Sequence, residues 1–150
     1  MDERLKKARM AIIGAGDYLA RQFVSKHYVK TKPDQTELLG EDLESEKIIM
    51  TVLSEAFPND SFLTEETETG IKSDYVWVID PLCGSYSYLR GVETWSVSLA
   101  LISGNEYLLG VVFQPLLSKI FYSQKGKGAF QNDNPIHVSK IDQLDQAFIE

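Results

Sequence analysis

At residue 61 the hydrophobic period of this chain changes from between three and four to two. Before that point Leu5, Ala8, Ile12, Ala15, Leu19 and Phe23 recur at three- and four-residue steps, with Lys6, Lys7, Arg9, Asp17 and Arg21 between them, which predicts an amphipathic helix over residues 2 to about 29. Ile48, Ile49, Val52, Leu53, Ala56 and Phe57 form a second stripe, predicting a helix from about Glu41 to Phe57 that Pro58-Asn59-Asp60 stops. Both helices should lie on one core. Between them, Lys30 to Gly40 has no sustained period and contains Lys32-Pro33-Asp34, so it reads as a loop. Gly14 and Gly16 each cost about 1 kcal/mol relative to Ala inside a helix, which implies either close packing of another element or a weak point.

Beyond residue 60 the apolar runs are short, branched and aromatic. Strands are predicted at Ser61 to Thr64, Tyr75 to Ile79, Trp95 to Ile102, Tyr107 to Gln114, Lys119 to Tyr122 and Ile136 to Val138. Ser103-Gly104-Asn105-Glu106 can close a hairpin, and an antiparallel sheet is the economical reading. Trp77, Trp95, Phe113, Phe121 and Phe130 lie in or beside these runs and are expected in the core. Helices first and strands afterwards indicate an α+β layer in a single domain over 1–150.

Composition narrows the function. The chain has 150 residues, 43% hydrophobic and 25% charged, enough for a core. A net charge of −7 opposes binding to a nucleic-acid backbone. No apolar run approaches the roughly 20 residues of a membrane-spanning helix, and the opening MDERLKKARM lacks the apolar centre of a secretory signal, so a cytoplasmic location is expected. Cys83 is the single cysteine, which excludes an internal disulfide or a multi-thiolate zinc site. His27 and His137 have no metal-ligand spacing and receive no role.

Three acidic places could carry chemistry. In Val76-Trp77-Val78-Ile79-Asp80-Pro81-Leu82-Cys83-Gly84-Ser85 a buried strand should end at Asp80, a proline should turn the chain, and Gly84-Ser85 should open a short helix through Tyr86, Ser87 and Tyr88. A carboxylate at a strand end suits a hard cation, and free N–H groups at a helix start suit phosphate. Glu65-Glu66 follow the apolar Phe62-Leu63, and Asp42 and Glu46 share a helix face at i,i+4. Each has a plainer explanation: the helix dipole for Asp42 and Glu46, a solvated strand end for Glu65-Glu66, a turn for Asp80.

The order Asp42-x-x-x-Glu46, Phe57-Pro58, Glu65-Glu66, Trp77 to Ser85, Gly110-Val111-Val112-Phe113-Gln114-Pro115 and Gly126-Lys127-Gly128-Ala129-Phe130 resembles the inositol monophosphatase family of lithium-sensitive, magnesium-dependent phosphatases, over nearly the whole chain. The resemblance implies the first part of an α/β/α/β/α sandwich, two long helices packed on a large antiparallel sheet. It also implies hydrolysis of a small phosphomonoester, such as an inositol phosphate, sugar phosphate or nucleotide bisphosphate, with Mg²⁺ and possible use of Mn²⁺. By the same resemblance Glu65, Asp80 and the main-chain carbonyl of Leu82 hold metal, the Gly84 and Ser85 amides bind phosphate, and Asp42 with the Ser85 hydroxyl activates water. Glu66 is the neighbouring second acid, and the full-length protein would form a homo-oligomer without nucleic acid or membrane.

Three departures accompany the resemblance. Cys83 stands where the family has a second metal-binding aspartate, and a thiol is a soft ligand that holds Mg²⁺ poorly. Ser87 and Tyr88 replace an asparagine and a phenylalanine. The family's later Trp-Asp-x-x-Ala-Gly type motif is not in the chain, so the expectation is a truncated N-terminal part, inactive alone and with exposed apolar sheet surface. The competing expectation is a catalytically weak or inactive relative that retains a phosphate or metal site.

Overall fold

In the computed structural model, which describes residues 2–23, 29–31, 37–64 and 72–147, the first helix, α1, spans Glu3–Gln22. Asp2 starts it: its carboxylate accepts the Arg4 N–H at 2.9 Å, satisfying a donor that the first turn leaves open. The helix ends earlier than the period suggested, with Phe23 as its C-terminal cap; of the rest of the predicted span, residues 24–28 lie outside those described and Val29 opens a strand. Lys30 to Gly40 is not simply a loop. Strands β1 (Val29–Thr31) and β2 (Glu37–Leu39) pair antiparallel, and three residues are too few to display a period. Helix α2 then covers Gly40–Ala56, close to its predicted bounds.

The main sheet contains β3 (Ser61–Thr64), β4 (Tyr75–Cys83), β5 (Ser96–Ser103), β6 (Glu106–Gln114), β7 (Lys119–Gln124), β8 (Gly128–Gln131) and β9 (Asn134–Ile136), in that spatial order. Between β4 and β5 lies a short helix, α3 (Ser85–Leu89), as expected. Every neighbouring pair is antiparallel except β3–β4, which is parallel with Thr64 opposite Ile79. That pair corrects the expectation of a wholly antiparallel sheet, since alternation reports burial and not direction. Residues 128–131 form a strand the sequence reading missed, and the last strand lies two residues earlier than predicted. Asn132 and Asp133, with φ of 47° and 68°, supply the tight turn between β8 and β9.

One face of the sheet packs on the helices. Leu99, Leu101, Leu109, Val111 and Phe113 join Ala8, Ile12, Ala15, Leu19, Ile49 and Leu53 in the core. Gly16 marks the closest approach: a Cβ there would lie 2.5 Å from Phe113 Cδ1 and 2.7 Å from Pro115 Cγ. Close packing therefore accounts for this glycine, whereas a Cβ on Gly14 would meet Ile48 at an ordinary 3.5 Å. The opposite face carries a groove of about 440 Å³ lined by Val78, Ala100, Val112, Phe121 and Ile136, with Asp80 among its lining residues. Trp77, Trp95 and Phe113 are buried as predicted, but Phe121 and Phe130 are only half-buried.

Among the described residues, ion pairs from Arg4 and Arg9 pin α1 to the sheet and its flanking turns. Arg4 pairs with the buried Asp60, which also accepts the Trp77 indole N–H at 2.9 Å, and the guanidinium lies 4.3 Å from the Tyr75 ring centroid and 4.5 Å from that of Phe57. Arg9 pairs with Asp133 at 2.7 Å, and the Tyr122 hydroxyl donates to the same carboxylate at 2.7 Å.

Candidate active site at the end of strand β4

Strand β4 does not stop at Asp80, as the proline suggested, but continues to Cys83 with an irregularity in its pairing. Asp80 lies opposite Ser98 and Cys83 opposite Ser96, so Pro81 and Leu82 together face one residue of β5. Proline has no N–H for the ladder, and an extra residue there bends the strand. The usual alternation breaks as a result: Pro81 and Leu82 are both buried, Asp80 is half-buried and Cys83 is exposed. Gly84 follows with φ of 91° and ψ of 38°, a left-handed conformation that favours glycine. A Cβ there would also come within 3.0 Å of the Thr94 carbonyl oxygen. Gly84 is exposed, and Ser85 begins α3 half-buried.

Helix α2 meets this strand end through Ser45, whose hydroxyl donates to the Pro81 carbonyl at 2.7 Å in a buried setting. Ser45 lies between Asp42 and Glu46, so the same bond holds the acidic face of α2 at the end of β4. Asp42 and Glu46 are each 3% exposed, and Glu41 is 8% exposed. The helix dipole alone would have left these acids in water and does not account for their burial. One oxygen each of Asp42, Glu46 and Asp80 is inaccessible to solvent.

The parallel β3 matters here. Because β3 and β4 run the same way, both strands finish at the same end of the sheet, and Thr64 lies beside the residue before Asp80. An antiparallel β3 would have finished at the opposite end. Glu65 and Glu66 lie outside the described residues. Among the described residues no three His, Cys, Asp or Glu side chains make a metal-binding group. His137 is exposed, and His27 lies outside the described residues.

Tyr88, which the sequence suggests for packing of the loop or for lining a site mouth, is wholly buried and so lines no mouth, and its hydroxyl donates to the Leu19 carbonyl at 2.8 Å. Burial, reinforced by the negative charges of Glu41 and Asp42 and by Tyr18, pushes this phenol well above its ordinary value, so it remains a proton donor at all physiological pH. Its ring could have been assigned to the core from sequence. The hydroxyl's partner, 69 residues away in the chain, could not. No described helix is long and apolar enough to cross a membrane.

The sequence profile of the inositol monophosphatase family matches residues 1–150. An inositol monophosphatase from Mesembryanthemum crystallinum is 35% identical over 136 residues, covering 87% of this chain and 50% of that protein. A fructose-1,6-bisphosphatase/inositol-1-monophosphatase from Aquifex aeolicus is 33% identical, covering 97% of this chain and 58% of its own length. The solved structure of extragenic suppressor protein suhB from Bartonella henselae superposes with a TM-score of 0.89 at 32% identity, covering 93% of this chain and 56% of that one. The chain thus spans about half the length of the relatives it matches. With a helical layer on a mostly antiparallel sheet, and buried acids held against the irregular end of β4, the chain belongs to the inositol monophosphatase family.

Proposed function

We propose that this chain forms the first part of a metal-dependent phosphomonoester hydrolase of the inositol monophosphatase type, acting on a small phosphorylated substrate such as an inositol phosphate, sugar phosphate or nucleotide bisphosphate. The observation that carries the proposal is the buried acidic face of α2, held by the Ser45–Pro81 hydrogen bond at the strand end that bears Asp80. Buried carboxylates in one region repel one another and lose hydration, a cost that a bound cation offsets.

The oxygen donors fit a hard ion. Asp80, the Leu82 carbonyl and Glu65 would hold Mg²⁺ or Mn²⁺, and Cys83 does not suit the same ion because its exposed thiol is soft. When bound, the metal would lower the pKa of a coordinated water and neutralise phosphate charge. The remaining work belongs to the chain. Gly84 and Ser85 would present main-chain N–H groups to the phosphate, made accessible by the absence of a side chain at Gly84. Asp42 would take the proton that Ser85 relays from water, with Glu66 as a second acid by family resemblance.

Release of inorganic phosphate from small phosphomonoesters by the complete protein, dependent on Mg²⁺ or Mn²⁺ and reduced at least about a hundredfold by Asp80→Asn, is the expected result. Turnover that is indifferent to metal, or retained in the variant, would contradict it. Cys83 favours a second reading, a weak or inactive member that still binds phosphate or metal. Cys83→Asp separates the two: a large rise in hydrolysis supports the weak member, and a fall supports an enzyme adapted to its thiol.

A further inference from the structure

Helix α3 has five residues, too few for its own hydrogen bonds to hold it in place. Tyr88 is the residue of α3 that is buried, with no exposed surface. Its ring meets Trp95 edge-on at 5.0 Å between centroids and Phe23 at 5.3 Å. Its hydroxyl crosses to α1 and donates to the Leu19 carbonyl at 2.8 Å, in the last turn of that helix. On the main chain, the Tyr88 N–H donates to the Gly84 carbonyl at 3.0 Å, and the Gly91 N–H donates to the Tyr88 carbonyl at 3.1 Å.

A ring held only by packing can turn and slide with its helix. A ring whose far end is also hydrogen-bonded to a second, 20-residue helix fixes both the rotation of α3 and its distance from α1. We infer that Tyr88 is a positioning residue: its hydroxyl, through the Leu19 carbonyl, sets the backbone of Gly84 and Ser85. The use of that backbone for phosphate rests on the function proposed above; the anchoring does not.

Tyr88→Phe keeps the ring and removes the bond. Amide hydrogen exchange on the 150-residue chain should show the Tyr88 and Gly91 N–H groups exchanging about five- to tenfold faster in the variant, while Val97 and Val111 in the sheet stay within twofold of wild type. Equal acceleration at all four amides, or none at any, would overturn the inference. Thermal unfolding with inorganic phosphate and saturating Mg²⁺ supplies the second arm. Tyr88→Phe should need several-fold more phosphate for the half-maximal shift, with the Mg²⁺ midpoint unchanged. A purely structural role would lower the unfolding temperature with or without phosphate and leave the phosphate midpoint where it was, which would overturn the link to the phosphate loop. Wild-type chain indifferent to phosphate would count against the proposed function, and the exchange comparison would then decide the role of Tyr88.

Discussion

Gly16→Ala would drive a methyl group into the Phe113 ring and Pro115, both closer than 3 Å, and should cost about 1–3 kcal/mol. Gly14→Ala, two residues earlier in the same helix, meets Ile48 at ordinary contact distance and should stabilise the chain by up to about 1 kcal/mol. Urea unfolding of the two variants checks both signs. In the sequence these glycines look alike, because what distinguishes them is a side chain almost a hundred positions away. Acidic residues show the same limit: the spacing of Asp42 and Glu46 was legible, but their burial depends on Ser45 reaching Pro81. Cys83, by contrast, could be identified as a departure from sequence alone, and the structure adds that its thiol faces solvent.

Among the elements, α1 is joined to the β8–β9 turn by Arg9, Asp133 and Tyr122. The hydrogen bond from Arg9, then that from Tyr122, hold the Asp133 carboxyl below its ordinary 3.8. A group whose pKa is lowered by folding contributes stability above its unfolded value and loses it as pH falls through the folded one. Wild type should therefore exceed Asp133→Asn in thermal stability at neutral pH, and the two curves should converge as pH drops below about 3.8. Parallel curves down to pH 2 would contradict the assignment. Element types were largely legible from period: α1, α2, α3 and most of the main sheet stand near their predicted places. The β1–β2 pair was too short to show a period, β8 begins on a glycine among turn residues and was not read as a strand, and the direction of β3 leaves no mark on its own residues. That direction brings the ends of β3 and β4 to the same end of the sheet.

For the whole molecule, helices cover one face of the sheet and leave the groove around Val112 and Phe121 on the other. Val112 is 37% and Ile136 38% exposed, so apolar surface is available for association. Sedimentation velocity over a hundredfold range of concentration should show larger species at the high end, diminished by Val112→Lys; a monomer throughout would mean the face is tolerated in water. The order of strands in the main sheet, β3 through β9, is also their order in the chain. Each strand can therefore add to a neighbour just made, at a closure cost set by a short connection. Helix α1 is the exception, since its seat on Phe113 and Pro115 closes a loop of roughly a hundred residues, about 3 kcal/mol dearer in chain entropy than a hairpin. Its docking should come late, after the barrier, so that Gly16→Ala quickens unfolding while leaving the folding rate nearly untouched.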